Sequence, residues 1–562
     1  MDPVIVVGAG PVGLALALAL AAQEVPCVVL DEGSGAEEVR AARTAVLRPD
    51  TAAFLTGLGC PGLELDGARW TGWRSMRRRQ PTRQLAFAPY GPEPALPEPR
   101  RPEVSPGRSP APDAATGQGP GPVPPLHLPQ HALVRRLRDA LAALPDRKLV
   151  RLVPYSRVDA VEQDDRGVSV HARGAEDTWW RGSHLVGCDG ARSTVRKLLG
   201  IRFPGRTAVE RHAVAALRAE LPWPGEALLH RRPPWRSGGE EITARPLPDG
   251  TWRLDWLLPP RGELVTPDAL IGRIRETLAG WCGHTPAYDL LDTGVYTLHH
   301  RLAKSWRAGR AFLAGDAAHL LGALGTQGLD EGLRDAANLA WKLALDRHHG
   351  ASETLLDSYQ AERRTAVAAR LRAADQSLPV LRGPGGLRTV LRGSGHDALL
   401  TDGHLGLGPL GAPPAYPLSP LAPPDAGGRS AVGTPEGAPA EDVRVTAPDG
   451  TTGRLRERLG RGRLLVVLVA PGTGVWDRRH WATAGVMPRL AETVAALPVP
   501  GEVLVTEAYP GAPAHAVLLV RPDGHLAASF GGVRPAELRA AAEAVRGGAP
   551  AAVPSDATAG TD

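Results

Sequence analysis

The sequence predicts an α/β protein of several domains, and three observations support this prediction. An apolar strand, Val4–Val7, runs into a glycine-rich turn and then into an apolar helical stretch, as at the start of a nucleotide-binding strand–helix–strand unit. Much later in the chain, a second apolar strand ends in Gly315 and Asp316. Two stretches rich in proline and glycine, 91–125 and 381–440, separate the regular patterns. At roughly 150 residues per domain, a chain of 562 residues has room for about three or four domains.

The glycine-rich turn predicts a dinucleotide site. Gly8, Gly10 and Gly13 permit a tight turn and the close approach of a pyrophosphate, which the amides at the start of the next helix would face. Asp31 ends the following strand, Cys27–Leu30, where a carboxylate can accept a hydrogen bond from a ribose hydroxyl. Strand, turn, helix and acid in this order argue against an ordinary glycine turn. The motif does not by itself separate FAD from NAD.

The second motif favours FAD over NAD. A two-domain NAD dehydrogenase has no use for a strand that ends in Gly315 and Asp316 so late in the chain. The segment 325–328, Gly-Thr-Gln-Gly, then leads into a helix predicted at about 330–345. The N-terminal amides and dipole of such a helix favour negative charge in front of them, and a reduced flavin carries that charge at its N1–C2 edge.

Composition and charge exclude several other classes of protein. Lys and Arg total 65 against 60 for Asp and Glu, and the net charge of +5 is spread along the chain, so nucleic acid is not the expected partner. The four cysteines are far apart and form no CxxC pair, which predicts neither a metal site nor a disulfide framework and fits a reducing cytosol. No segment reaches the roughly 18 uninterrupted apolar residues of a membrane span. We therefore expect a soluble, cytoplasmic protein without a membrane partner.

A strand region at 242–258 lies in the part of the chain that we assign to the substrate. A turn at 248–250 divides it, and beyond the turn apolar residues alternate with Arg253, Asp255 and Leu257. The apolar face consists of Trp252, Leu254, Trp256 and Leu258. We expect this face to form an apolar wall opposite the cofactor, with packing in the protein core as the alternative.

A smaller α/β pattern follows the second proline- and glycine-rich stretch. Strands are predicted at 464–470, 503–507, 516–520 and 525–529, and helices at 482–497 and 533–544. Another helix is predicted at 130–144, where leucines recur at helical spacing.

A third motif reveals a resemblance to a known family. Residues 185–196 read Leu-Val-Gly-Cys-Asp-Gly-Ala-Arg-Ser-Thr-Val-Arg, which resembles the Asp-Gly fingerprint of the class A FAD-dependent aromatic hydroxylases. This family includes para-hydroxybenzoate hydroxylase, phenol hydroxylase and hydroxylases of actinobacterial aromatic polyketides. Arg43 and Gln130 stand where the family has a cofactor-contacting arginine and glutamine, and 416–421 and 521–525 resemble its linker and a C-terminal turn. The resemblance extends over most of the chain.

The chain departs from the family pattern beside the expected flavin. After His319 the family usually has two prolines, where this chain has Leu320 and Leu321. Thr326 and Asp330 replace the more usual glycine and asparagine. We interpret His319 as a structural histidine rather than a base. These departures predict a flavin pocket kept by backbone contacts and an unusual wall on the substrate side.

The resemblance implies a glutathione-reductase-like FAD domain with an inserted β-sheet substrate domain and a C-terminal thioredoxin-like domain. We place the FAD domain at 1–205 and 295–380, the substrate domain at 206–294, the linker at 381–440, the thioredoxin-like domain at 441–548 and a disordered tail at 549–562. The C-terminal domain has no cysteine, so we expect it to be structural or to form a homodimer, and to be dispensable for flavin chemistry.

The family chemistry implies that NADPH or NADH reduces FAD, that O2 then gives a flavin C4a-hydroperoxide, and that one oxygen passes to an aromatic, phenolic or polyketide-type substrate. Baeyer–Villiger oxidation or epoxidation is an alternative outcome, and an NAD-linked dehydrogenase and a non-catalytic flavin-binding protein are alternatives from other classes. Because the cofactor supplies the reactive oxygen, we expect no obligatory catalytic side chain.

The site residues follow from the motifs and the resemblance. The expected cofactor contacts are Gly8, Gly10, Pro11, Val12, Gly13, Asp31, Glu32, Arg43, Gln130, Asp189, Gly190, Arg192, Gly315, Asp316, Gly325, Thr326, Gln327 and Gly328. The expected substrate-pocket residues are Trp223, Trp235, Trp252, Trp256 and Leu324.

Overall fold

The computed structural model describes most of the chain. The described residues are 2–35, 39–60, 62–88, 123–174, 177–236, 241–259, 265–321, 328–350, 352–382, 400–424, 428–472 and 485–548. The predicted tail at 549–562 and nearly all of the insertion predicted at 91–125 lie outside these residues, as do Leu324, Gly325, Thr326 and Gln327.

The described residues form a mixed α/β fold. The strands are β1 (Val4–Val7), β2 (Cys27–Leu30), β3 (Thr44–Leu47), β4 (Ala68–Arg69), β5 (Gly72–Arg77), β6 (Gln80–Ala86), β7 (Leu126–Pro129), β8 (Val150–Val153), β9 (Arg157–Asp164), β10 (Gly167–Arg173), β11 (Thr178–Gly182), β12 (His184–Gly187), β13 (Gly205–Ala219), β14 (Glu226–Arg231), β15 (Glu241–Pro246), β16 (Thr251–Leu258), β17 (Tyr288–Leu302), β18 (Arg307–Ala308), β19 (Ala311–Leu313), β20 (His319–Leu320), β21 (Arg444–Thr446), β22 (Thr452–Arg454), β23 (Leu464–Val469), β24 (Gly501–Thr506), β25 (Val517–Val520) and β26 (Leu526–Phe530). The helices are α1 (Pro11–Ala21), α2 (Pro49–Gly57), α3 (Leu63–Asp66), α4 (Gln130–Ala142), α5 (Thr194–Leu198), α6 (Pro267–Cys282), α7 (Gly328–His349), α8 (Glu353–Tyr359), α9 (Thr365–Arg382), α10 (Met487–Ala495) and α11 (Pro535–Val545), with a π-helical turn, Gln360–Arg364, between α8 and α9.

The first large sheet has the strand order β18-β19-β12-β1-β2-β8. Strand β1 pairs in parallel with β2 and β12, and β12 pairs in parallel with β19. Helix α1 is apolar on nearly every side because it packs between this sheet, α4 and α7. The carboxyl ends of the parallel strands therefore meet at one edge of the sheet, which is where such folds bind dinucleotides.

The second large sheet has the order β20-β17-β13-β16-β15-β14-β5-β6. It extends beyond the predicted range of 206–294, because β17 continues to Leu302 and because β5 and β6 come from residues 72–86. Strand β5 pairs in parallel with β14, far along the chain. Helix α6 packs on one face of the sheet, and the other face lines a cavity that Arg43 and Asp316 also line.

The third large sheet, near the C-terminus, has the order β22-β21-β24-β23-β25-β26. Its central pair, β23 and β24, is parallel, whereas β25 runs antiparallel to β23. The helices α10 and α11 pack on it around a core that includes Val466, Leu490 and Leu538. Strands β23 to β26 and helices α10 and α11 begin and end within five residues of the bounds that the sequence predicts, whereas β21 and β22 were not predicted.

The predicted linker at 381–440 is packed against the rest of the protein where the structure describes it. Leu400, Leu405 and Leu410 are buried together with Trp70 and Trp73. Its proline and glycine content indicates irregular backbone, but these apolar side chains anchor that backbone. Among the described residues no helix is both long and apolar enough to cross a bilayer.

Candidate functional site

The glycine turn after β1 is tight and leaves room beside it. Gly8 has φ +107°, and a Cβ on this residue would lie 2.5 Å from the carbonyl oxygen of Cys188. A Cβ on Gly13 would lie 2.0 Å from the carbonyl oxygen of Gly8, so α1 approaches the turn closely. A Cβ on Gly10 would meet open space. Helix α1 begins at Pro11 with Gly10 as its N-cap and no side-chain cap, which leaves its first amides available to an anion.

Asp31 braces this turn from the end of β2. Its Oδ2 accepts a hydrogen bond from the Ala9 amide at 2.6 Å, and its Oδ1 accepts one from the Gly33 amide at 2.8 Å. The side chain is half-buried and lies at the edge where a bound ribose would sit. Glu32 is exposed and faces Arg157 at 4.0 Å.

The Asp-Gly fingerprint joins β12 to the Gly315 loop. Asp189 Oδ2 accepts from the amides of Thr194 and Val195 at 2.6 and 3.0 Å, at the start of α5. Arg196 donates to the carbonyl of Ala317 at 2.8 Å, which ties the two motifs together. Within the described part of the chain, Asp189 Oδ1 is buried and has no hydrogen-bond partner.

Two other fingerprint residues differ in what they do. Gly190 has φ +76°, a left-handed conformation that glycine adopts without strain. Arg192 is exposed at the protein surface. Its position leaves the proposed cofactor contact of this arginine as a prediction.

The Gly-Asp loop packs directly on the first motif. The Val12 side chain fits between two glycines, since a Cβ on Gly332 would lie 2.6 Å from it and one on Gly315 would lie 3.1 Å from it. The Gly315 amide donates to Asp335 Oδ2 at 2.9 Å. A Cβ on Gly328, at the start of α7, would lie 3.9 Å from Asp316 Oδ1.

His319 has the environment of a structural residue. It is fully buried, its Nε2 lies 2.9 Å from Asp335 Oδ2, and its ring stacks on Trp306 with centroids 5.3 Å apart. It does not line the cavity described below.

Asp316 is exposed to solvent and lines the cavity described below. Burial raises the pKa of its carboxyl, and the charges of His319 and Arg43 oppose that shift. Arg43 Nε donates to Gln130 Oε1 at 2.9 Å, and the Gln130 amide donates to the Arg43 carbonyl at 2.9 Å. The structure therefore brings together the arginine, the glutamine and the aspartate that the sequence singled out separately.

A cavity of about 700 Å³ extends from Asp316 and Arg43 to the second sheet. This volume lies in the usual range for small-molecule sites. Strands β13, β15, β16 and β17 form the far wall, and His404 reaches it from the predicted linker. The lining residues are Arg40, Ala42, Arg43, Thr44, Glu210, His212, Val214, Glu241, Thr243, Arg245, Arg253, Asp255, Leu257, Asp292, Thr293, Gly294, Val295, Tyr296, Thr297, Leu298, Asp316, Leu321 and His404.

The far wall carries a hydrogen-bonded chain of polar side chains. His212 Nδ1 lies 2.5 Å from Asp255 Oδ1, and His212 Nε2 lies 3.1 Å from Glu210 Oε2. Tyr296 donates to Asp255 Oδ2 at 2.6 Å, and its ring stacks on His212 at 5.1 Å with planes 8° apart. Arg253 donates to Asp255 Oδ2 and to Tyr296 Oη, each at 3.1 Å. We call Glu210, His212, Arg253, Asp255 and Tyr296 the polar wall.

Electrostatics keep Asp255 ionised. Burial alone would raise its pKa, but the charge and hydrogen bond of His212, followed by the charge of Arg253, outweigh burial and hold the pKa well below its usual range. Burial and the Asp255 charge both raise the pKa of Tyr296, so its hydroxyl stays protonated. Burial and the charge of Arg253 lower the pKa of Arg245 to about 10.

The four predicted tryptophans do not line this cavity, so the apolar-wall prediction is wrong. Trp252 and Trp256 lie on the opposite face of β16, buried with α6, where the Trp256 indole donates to Thr277 Oγ1 at 3.1 Å. Trp223 packs edge-on against Trp281, and Trp235 packs edge-on against His230. Alternation identifies two faces of a strand but does not say which one meets a ligand.

The sequence did contain a signal for the polar wall. Arg253 and Asp255 alternate with tryptophans in a strand that is buried on both faces, and buried charges require partners. That requirement alone places other polar side chains opposite them. The partners His212 and Tyr296 come from β13 and β17, which flank one another in the sheet, and no local pattern identifies them.

The fold and site together define an α/β flavoprotein. Residues 1–374 match the family described as FAD binding domain, and the chain belongs to that family. A rifampicin monooxygenase of Streptomyces venezuelae is 37% identical over 243 residues, which is 41% of this chain and 48% of that protein. A 3-(3-hydroxy-phenyl)propionate/3-hydroxycinnamic acid hydroxylase of Paraburkholderia xenovorans is 34% identical over 221 residues, 38% of this chain and 34% of that one. The chain thus spans half or less of these relatives.

Solved structures match over nearly the full length. The flavin-dependent monooxygenase PieE, in complex with FAD and substrate, aligns with a TM-score of 0.71 and 22% identity over 97% of this chain and 98% of that one. The OxyS anhydrotetracycline hydroxylase from Streptomyces rimosus aligns with a TM-score of 0.65 and 24% identity over 94% and 95%. At these identities the likeness concerns the fold.

Proposed function

We propose that this chain is an FAD-dependent monooxygenase that uses NADPH or NADH and O2 to hydroxylate a phenolic or polyketide-type aromatic substrate. The observation that carries the proposal is the cavity of about 700 Å³, which has the flavoprotein motifs at one end and a polar wall at the other. The relatives named above, a rifampicin monooxygenase and a hydroxyphenylpropionate hydroxylase, support this class of reaction and substrate.

The residues present fit FAD. The tight turn at Gly8, the open space beside Gly10 and the orphaned Asp189 Oδ1 suit a dinucleotide that lies across the ends of β1, β2 and β12. We place the adenosine ribose at Asp31 and the ribityl chain at Asp316, with Arg43 and Gln130 beside the flavin. When bound, FAD accepts a hydride from the nicotinamide and activates O2 for transfer to the ring.

The protein's own task is to hold the ring and to keep water out. The polar wall presents the Tyr296 hydroxyl and the His212 ring to the cavity, and both are fixed by Asp255. A substrate with hydroxyl or carbonyl groups would meet these partners in the cavity, where a few fixed polar groups orient a ligand. The wall thus adds defined polar positions to the shape that an aromatic ring requires.

We also propose assignments for the C-terminal sheet and for the second large sheet. We assign the thioredoxin-like fold to the C-terminal unit, residues 441–548, because its sheet combines parallel β23 and β24 with antiparallel β25 and β26 and packs against helices. We assign substrate binding to the second large sheet.

A substrate screen tests the function. The purified protein is incubated with FAD, NADH or NADPH and a panel of phenolic and polycyclic aromatic compounds. We expect substrate-stimulated oxidation of the nicotinamide and a product that has gained one oxygen atom from 18O2, detected by mass. Protein that cannot bind FAD, or binds it yet incorporates oxygen into no member of the panel, would contradict the proposal.

Replacing Trp256 tests whether this side chain belongs to the core beside α6 and not to the pocket. Trp256→Phe removes the buried indole donor to Thr277, and we expect the free energy of unfolding to fall by about 1–3 kcal/mol. The ratio of product formed to nicotinamide oxidised should stay at the wild-type value, because this side chain faces α6. Denaturant unfolding and the product ratio are the two measurements. A lowered ratio with unchanged stability would restore Trp256 to the pocket.

A further inference from the structure

We propose that Arg363 is a positioning residue for the FAD site and that the C-terminal unit holds it in place through Tyr416. The inference rests on the proposed placement of FAD at Asp316. It assigns to the C-terminal unit a role in cofactor binding, in place of the dispensability that the sequence suggested.

The inner end of this connection is the Gly-Asp loop. Asp335 Oδ2 accepts from the Gly315 amide at 2.9 Å, and Gly315 has φ +61°. A left-handed turn at this residue aims the next residue, Asp316, into the cavity. A group that holds the Asp335 carboxylate in place therefore also holds the backbone at Gly315, which positions Asp316, the residue proposed to contact the ribityl chain.

Arg363 binds the second oxygen of the Asp335 carboxylate, whose first oxygen contacts Gly315 and His319. Its Nε donates to Asp335 Oδ1 at 2.8 Å, and its Nη2 donates to Glu331 Oε2 at 2.6 Å. All three side chains are fully buried. A planar fork that bonds two carboxylates on α7 sets their orientation more strictly than a point charge would.

A π-helical turn presents Arg363 and its neighbour Glu362 to two different partners. Turns of this type are rare and recur at functional sites. Arg363 contacts α7 near the Gly-Asp loop, whereas Glu362 accepts two hydrogen bonds from Arg521, at 2.6 and 2.8 Å. Arg521 belongs to the turn between β25 and β26, so the C-terminal unit contacts the π-helical turn directly.

Tyr416 supplies a second connection. Arg363 Nη1 donates to the Tyr416 hydroxyl at 3.2 Å. The Tyr416 ring stacks on His525 with centroids 4.3 Å apart and planes 30° apart. His525 follows Arg521 in the same turn of the C-terminal unit. A continuous chain of contacts thus runs from His525 through Tyr416, Arg363 and Asp335 to Gly315.

The test measures the FAD affinity of two variants in this chain of contacts and of one control variant outside it. Tyr416→Phe removes only the hydroxyl, and we expect the FAD dissociation constant to rise about threefold; Arg363→Lys keeps the charge without the fork, and we expect a rise of about tenfold. Tyr509→Phe is the matched control, because it also removes one buried tyrosine hydroxyl, which is bonded to Thr434 at 2.7 Å and lies outside the chain of contacts. Fluorescence titration of apoprotein well below its melting temperature measures affinity, and the absorption bands of bound flavin report its environment.

The outcomes are separable. Wild-type apoprotein that binds no FAD would defeat the proposed function. Wild type that binds FAD, together with a Tyr416→Phe variant of unchanged affinity and unchanged flavin bands, would overturn this inference alone. A Tyr509→Phe variant that loses as much affinity as Tyr416→Phe would also overturn it, because the effect would then be general destabilisation. Should Arg363→Lys fail to fold, the comparison of the two tyrosine variants decides.

Discussion

Arg521→Met is expected to lower the free energy of unfolding by about 3–5 kcal/mol, because it removes one partner of a buried ion network. Arg521 is 4% exposed and donates to Glu362, which is fully buried, and to Asp523 at 2.6 Å. In this variant Lys342 still pairs with Glu362 at 2.8 Å. The two buried carboxylates of Glu362 and Asp523, however, lose the arginine charge that both of them contact. Denaturant unfolding of the apoprotein measures the loss.

A surface ion pair of the same unit provides the control. Arg534 lies 3.4 Å from Glu537 and is 46% exposed, so Arg534→Met should change stability by less than about 1 kcal/mol. The double variant with Arg521→Met and Glu362→Gln should recover part of the loss, since it removes one of the uncompensated charges. A loss for Arg521→Met no larger than that for Arg534→Met would show that the network contributes little. Truncation in the linker, which discards Arg521, is expected to give poorly folded protein for the same reason.

Asp255→Asn is expected to lower kcat/KM for hydroxylation by about 100-fold, because misplacing the reacting groups by about 1 Å costs a factor of this size. The amide keeps the shape of Asp255 but loses the charge that fixes His212, Tyr296 and Arg253. We expect FAD to bind normally and nicotinamide oxidation to yield hydrogen peroxide in place of product. Product, peroxide and nicotinamide are measured in the same reaction.

Asp289→Asn is the matched control, because Asp289 lies on β17 outside the cavity and is largely exposed. Its kinetics should equal those of the wild type. The low pKa of Asp255 adds a pH criterion. In the folded protein its carboxylate stays charged until strong acid, so the ratio of product formed to nicotinamide oxidised by the wild type should show no transition from Asp255 near neutral pH. An Asp255→Asn variant with wild-type coupling would show that the polar wall does not position the substrate.

Local features of the sequence predicted the elements around the glycine-rich turn well. The strand, turn and helix around Gly8 are contiguous, so their pattern survives without knowledge of the rest of the fold. The cofactor roles assigned to these residues remain predictions, although the structure brings Arg43 and Asp316 to one end of a cavity and bonds Gln130 to Arg43.

Long-range pairing explains what the sequence did not predict. The polar face of β16 became the cavity wall because β13 and β17 brought His212 and Tyr296 beside Asp255, and strand alternation carries no information on that pairing. The contacts of the C-terminal unit with the π-helical turn were not predicted for a similar reason. Arg521 and Asp523 have the pattern of an exposed turn, and only the fold places them against Glu362.

The position of His404 shows that the predicted linker contributes to the cavity. This residue lines the cavity from a segment that begins after residue 374, where the match to the FAD binding family ends. Substitutions in this segment can change the lining of the cavity while every strand of the first large sheet keeps its sequence. The segment that leads from the FAD-family region to the C-terminal sheet is therefore also part of the cavity wall.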